Sequence, residues 1–147
     1  PDALDAVEPP IDAALCLGHT FLTFADPIET LGLLGRLRAL LAPGDGQLIL
    51  DAFPGPLWRE IAEGNWQEGI SEAAGAQLLC REGDNVITLR EGDDVDDASW
   101  AMGPRDVPLR IWSMGELRLL AHAAGFHPPD TDAESHIMVL RPHDQPR

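Results

Sequence analysis

The stretch IDAALCLGHTF, Ile11 to Phe21, decides how the chain is read. From Ile11 to Leu17 it is almost continuously apolar, broken only by Asp12 near its start. Such a run suits a strand buried on both faces, as in a parallel sheet. It then passes into Gly18-His19-Thr20, a small-residue turn that carries a titratable side chain. Open α/β sheets gather their ligands at the carboxyl ends of the strands. The turn after Leu17 is therefore where such a sheet sets a ligand.

Reading outward, a helix begins soon after. Asp26 suits an N-cap, Pro27 suits the first helical position, and Glu29 gives capping-box spacing. Leu33, Leu34, Leu37, Leu40 and Leu41 follow at helical spacing, with Arg36 and Arg38 off that stripe. Pro43-Gly44 ends the helix, and QLILDAF, Gln47 to Phe53, reads as a second buried strand. Strand, helix, strand in this order predicts a parallel pair with a right-handed crossover. Further on, a short helix is expected over Leu57–Glu63, then a Gly- and Trp-containing loop to about Ala74. Ala76–Glu82 and Asn85–Glu91 flank Gly83-Asp84 as a hairpin. A polar loop over Asp93–Asp106 leads to a strand at Val107–Trp112. Ser113, with Glu116 three residues on, caps a last helix whose apolar face is Leu117, Leu120, Ala121 and Ala124. Gly125 stops it, and HIMVLR, His136 to Arg141, is the closing strand. Pro1 to Pro10 reads as irregular.

The 147 residues fit one α/β domain with one core, spanning the whole chain. The formal net charge is −15, from 25 acidic residues against ten basic ones, all arginine. Such a surface repels phosphate backbones, so no nucleic-acid partner is expected. No apolar run approaches the roughly 20 residues that span a bilayer, and no basic, apolar leader is present. The expectation is a cytoplasmic protein with no membrane partner. The acidic run Glu82 to Asp97 lacks the regular spacing of a calcium loop and reads as a solvated hairpin and loop. Cys16 and Cys80 sit in apolar strand patterns without C-x-x-C spacing, which reads as buried, reduced thiols. His122, His127, His136 and His143 show no metal spacing and read as surface or cap residues. No metal site is expected.

Several blocks taken together resemble the class I S-adenosylmethionine-dependent methyltransferases. IDAALCLGHTF resembles their fourth strand, commonly FDAV-x-x-x-G. LRALLAPGDGQLILDAF resembles the next helix and fifth strand, L-x-PGG-x-L-h-h-D, with Asp45 as an extra residue. LRIWSMGELRLLAHAAGF resembles the late segment R-x-[YW]-[ST]-x-x-EL-x-x-LL-x-x-AGF. HIMVLRP resembles the closing antiparallel strand, and PDALD the acidic loop after the third strand. The blocks run in the family's order along nearly the whole chain. The first three strands of the family, its G-x-G-x-G turn and its ribose-binding acid have no counterpart and would lie before Pro1. The resemblance thus implies the C-terminal, substrate-side half of a methyltransferase. The implied fold is a partial Rossmann-like sheet, mostly parallel with an antiparallel last strand, plus the added antiparallel hairpin.

The resemblance also implies roles. S-adenosylmethionine is the implied cofactor, with weak or no binding by this chain alone. Asp2 and Ala3 match its adenine contact, and Cys16, Leu17 and Gly18 match the strand end that faces its sulfonium. His19 is a candidate general base or orienting group, because its ordinary pKa lies near neutrality. Asp51, near the end of the fifth strand, must be paired or face a polar cleft, and it is the second catalytic candidate. Trp58, Trp66 and Trp112 fall beside segments that the family uses to cover its acceptor, a small molecule; Trp100 lies with them. Aromatic walls suit apolar or cationic acceptors, or they pack the hairpin onto the sheet. Arg110 matches the family's late arginine and is expected to pair with a hairpin acid. The alternative is a methyltransferase-like binding or dimerisation module without catalysis. Losing the first strand would bare the Ile11–Leu17 edge, so a homodimer or a complementary half-chain is expected to cover it. Gly18→Val is expected to disrupt site or fold more than Gly69→Val.

Overall fold

Asp26 opens a 14-residue helix by accepting hydrogen bonds from the backbone N–H groups of Ile28 and Glu29, at 2.7 and 3.1 Å. This arrangement is seen in a computed structural model that describes residues 2–51, 69–71, 75–132 and 137–143. The chain forms two compact units, one from Pro1–Ala52 with Trp112–Arg147 and one from Phe53–Ile111.

In the first unit the N-terminal segment is not wholly irregular: Asp2–Asp5 forms a helical turn, α1. Asp5 in it pairs with Arg36 at 2.5 Å. Strand β1 (Ala13–Cys16) and strand β2 (Gln47–Asp51) run parallel, joined through helix α2 (Pro27–Leu40). Leu34 of α2 is fully buried, while Leu33, Leu37 and Leu40 are half-buried. Helix α3 (Met114–Ala123) carries the expected capping box between Ser113 and Glu116. Leu117 and Ala121 are its fully buried residues, and Gly125 stops it at φ 84°. Strand β8 (Ile137–Leu140) lies antiparallel to β2, with Leu48 opposite Leu140 and Asp51 opposite Ile137. Strand β7 (Asp130–Asp132) pairs with β8, giving the order β1-β2-β8-β7.

β1 departs from the expected burial on both faces. It stands at the edge of this sheet with β2 on one side. Leu15 is 66% exposed and Leu17 47% exposed. A strand of this apolar pattern is buried only when sheet and helices flank it on every side, and among the described residues no strand pairs with the other side of β1.

The second unit is an antiparallel sheet of order β3-β4-β5-β6, from Ile70–Ser71, Ala76–Cys80, Val86–Glu91 and Leu109–Arg110. The hairpin β4–β5 turns through Gly83, at φ 75°, as its sequence requires. The last strand is shorter than Val107–Trp112. Pro108 offers no N–H to the ladder, so pairing starts at Leu109. β4 is buried over four consecutive residues, Ala76 to Leu79, rather than alternating. The buried Gln77 explains this. Its amide donates to the carbonyls of Asp96 and Ser99, and its oxygen accepts from the Asp96 N–H, so the loop roofs that face. Cys80, expected to be buried, ends β4 and is exposed. Leu57–Glu63 and His136 lie outside the described residues.

Candidate functional site

β1 and β2 end side by side, and the two chain segments that leave them meet. Gly18 and His19 follow β1 with φ of 67° and 58°, two successive left-handed residues. Glycine adopts this region freely, and a histidine rarely does. The double turn swings His19 back towards β2. There its backbone N–H donates to Asp51 Oδ2 at 2.6 Å. Its Nδ1 lies 3.3 Å from the same oxygen. One carboxylate oxygen thus holds the backbone of His19, with the ring's Nδ1 close by. The His19 side chain is 57% exposed and that of Asp51 21%. Thr20 closes the turn by donating its hydroxyl to the Leu17 carbonyl at 2.7 Å.

Cys16 stands just before this turn. Burial, with the Asp51 charge as a lesser cause, pushes its thiol pKa up. It is held as a neutral thiol and not as a thiolate nucleophile. At Gly18 a Cβ would meet no atom within 4 Å. The glycine is therefore required by its φ and not by crowding. Gly69 differs: at φ 77° its Cβ would lie 2.5 Å from the Leu78 carbonyl oxygen and 2.6 Å from Trp100 Cζ3. The expected order of Gly18→Val and Gly69→Val is thereby reversed, because Gly69 is both conformationally and sterically constrained.

The other candidate residues lie elsewhere. Trp112 is 1% exposed, and its Nε1 donates to the Phe21 carbonyl at 3.3 Å. It is a core residue of the first unit and offers no wall to an acceptor. Arg110 is buried in the second unit, where it meets the hairpin acid Asp84 at 2.8 Å, the pairing expected from the sequence. Trp100 is 44% exposed, with its Nε1 on the Asp97 carbonyl. Asp2 and Ala3 belong to α1. Trp58 and Trp66 lie outside the described residues.

One polar centre was missed by reading the sequence. Arg90 grips Asp106 through two nitrogens, at 2.7 and 2.8 Å, and also donates to Gln77 Oε1 and the carbonyls of Ser99 and Ala101. The Arg90 guanidinium, with the Gly103 N–H, holds the Asp106 carboxyl down at about 2. A cavity of about 850 Å³ lies beside this network, lined by Asp93, Asp94, Asp96 and Arg105 among others. The available signal was register: Gln77 and Arg90 are directly opposite across the hairpin, two polar residues within apolar strands.

Among the described residues no cluster of three or more metal-ligating side chains occurs, and no helix is long and apolar enough to cross a membrane. Neither a family model nor a curated protein matches the sequence. Solved structures do match. A SAM-dependent methyltransferase from Methanosarcina mazei superposes with a TM-score of 0.55 at 13% identity, over 97% of this chain and 65% of that one. The fold is a partial class I S-adenosylmethionine-dependent methyltransferase fold. The sugar N-methyltransferase KedS8 from Streptoalloteichus gives 0.52 at 19% identity, over 93% and 58% of the two chains. A methyltransferase from Clostridium acetobutylicum gives 0.52 at 8%, over 91% and 58%. The chain spans between 58% and 65% of the length of these three methyltransferases.

The strand end suits one side of the methyltransferase cofactor site. It is open at Gly18, and the Asp51 carboxylate there, its side chain 21% exposed, has the charge opposite to a sulfonium cation. The G-x-G-x-G turn that cradles the rest of such a cofactor occurs nowhere in the sequence.

Proposed function

We propose that this chain forms the acceptor side of a small-molecule methyltransferase and that His19 is its general base. The observation that carries the reading is the meeting of His19 and Asp51 at the carboxyl ends of two parallel strands, with the His19 N–H on Asp51 Oδ2 and the ring's Nδ1 3.3 Å from that oxygen. S-adenosylmethionine, when bound, supplies an electrophilic methyl group on a positively charged sulfur. Cys16, Leu17 and Gly18 form the surface that faces it. His19 Nε2 would take the proton of an acceptor N–H or O–H and so free that atom's lone pair. Asp51 keeps the ring in the accepting tautomer and stabilises the imidazolium that results. A sugar amine, the acceptor class in the name of KedS8, is one acceptor of this type.

The test is methyl transfer by the native protein. His19→Gln and Asp51→Asn should each lower kcat by about 100-fold, in the range of a lost general base, with KM for cofactor little changed. Wild-type kcat in both variants would overturn the reading.

A second reading rests on β1. Among the described residues its outer edge pairs with no strand, and Leu15 and Leu17 are exposed beside it. A twofold homodimer through this edge, or a complementary half-chain laid along it, would complete the hydrogen bonding. Sedimentation at ~100 µM, well above micromolar affinities, should show association. A clean monomer with rapidly exchanging amides over residues 13–17 would sink it.

A further inference from the structure

Three imidazoles and a guanidinium converge in the first unit, away from His19. The ring centroids of His127 and His143 are 4.4 Å apart, and those of His122 and His143 are 5.8 Å apart. His122 lies in the last turn of α3, His127 just after Gly125, and His143 just beyond β8. Arg38 arrives from α2, with Nε on the Gly125 carbonyl at 3.4 Å and Nη2 on the His143 carbonyl at 3.3 Å.

The same place is a backbone seam. His143 N–H donates to the Gly125 carbonyl and His127 N–H to the Arg141 carbonyl, both at 2.8 Å, with a bridge between Phe126 and Pro142. The seam ties the exit of β8 to the end of α3. It lies at the Leu48–Leu140 end of the β2–β8 pair, whereas Asp51 is at the other end.

We propose that this seam is an acid-sensitive clasp, closed while the three histidines are neutral and opened when protons add to them. Neutral imidazoles stack edge to face at little cost. Protonated ones beside a permanent guanidinium repel, at distances where a second charge is strongly felt. The charged groups facing His143 are Arg38 from α2, His122 from α3, and His127 from the link to β7; all are cationic or become so. Asp130, the acid that opens β7, is engaged with Arg141 at 3.4 Å. Asp144, next along the chain, lies outside the described residues. Burial and the neighbouring His127, His122 and Arg38 hold the His143 pKa below its ordinary 6.5. A depressed histidine pKa stabilises the closed form above the ordinary value, and that stabilisation is lost as pH falls through the folded value.

The test is residue-resolved amide exchange on the full chain between pH 7.5 and pH 5, corrected for the intrinsic pH dependence of exchange, with a parallel titration of the histidine ring protons. The protection factors of the His127 and His143 amides should fall at least tenfold across this range, while those of Leu48 and Leu50 in β2 hold. The His143 ring should titrate below the ordinary histidine range. In the double variant His122→Gln, His127→Gln, both at exposed positions, the His143 midpoint should rise and the clasp should stay protected to lower pH. Unchanged protection at pH 5, a His143 midpoint above the ordinary range, or a midpoint indifferent to the double substitution would each overturn the proposal.

Discussion

Asp51 Oδ2 accepts a 2.6 Å hydrogen bond from the backbone N–H of His19, 32 residues earlier in the chain. The bond joins the exits of two parallel strands and holds a left-handed histidine in place. Such a charge-assisted bond contributes about 1.5–3 kcal/mol. Asp51→Ala should therefore lower stability by roughly this amount, measured by urea denaturation of the first unit. Asp51→Asn keeps an acceptor for the N–H and should recover most of it. Equal losses in both variants would show that the bond is not what matters.

Gly69→Val should be the more damaging of two glycine substitutions. Gly18→Val meets only the left-handed φ penalty, about 1–2 kcal/mol. Gly69→Val adds a collision with a carbonyl oxygen and an indole, for a total of roughly 3 kcal/mol or more. Thermal melts of the two variants decide the order.

The second unit should carry an acid transition of its own. The Asp106 carboxyl is held at about 2, against an ordinary 3.8. A depressed carboxyl contributes stability above the ordinary value and loses it as pH falls between about 4 and about 2. In Asp106→Asn this pH dependence should disappear, because no charge remains to be titrated. Circular dichroism melts stepped through that range would show it, and an identical acid profile in the variant would contradict it.

The chain by itself should bind S-adenosylmethionine poorly. The 147-residue sequence holds no G-x-G-x-G cradle. Polar groups that fix orientation are what such sites depend on. Calorimetry at ~100 µM protein should give no saturable heat, and a low-micromolar Kd would overturn this expectation.

Local chemistry made much of the fold legible. Asp26-Pro27, Ser113 with Glu116, Gly125 and Gly83 each act within a few residues, and each sits where the sequence places it. The β1–α2–β2 crossover followed from element order. What stayed hidden depends on partners distant in the chain. The exposure of Leu15 follows from what does not flank β1. The polar β7, Asp130–Asp132, has no apolar period to announce it. The part-buried Arg90 is intelligible only once Gln77 is seen opposite it and Asp106 folds back. His19 and Asp51 were each legible as candidates, but their meeting was not, because it needs two left-handed residues in succession.

The indole of Trp112 has a consequence for spectroscopy. The protein contains no tyrosine, so its ultraviolet emission comes from tryptophan alone. Trp112 is sealed from water and bonded to the carbonyl of Phe21, two residues past His19, with the two rings 5.7 Å apart. Its emission should be blue and resistant to iodide, unlike that of the half-exposed Trp100. A ligand that shifts the turn after β1 moves the Phe21 carbonyl, and with it the indole's hydrogen bond. The fold thus carries a native fluorophore that reports on that turn, readable as the difference spectrum between wild type and Trp112→Phe without any added label.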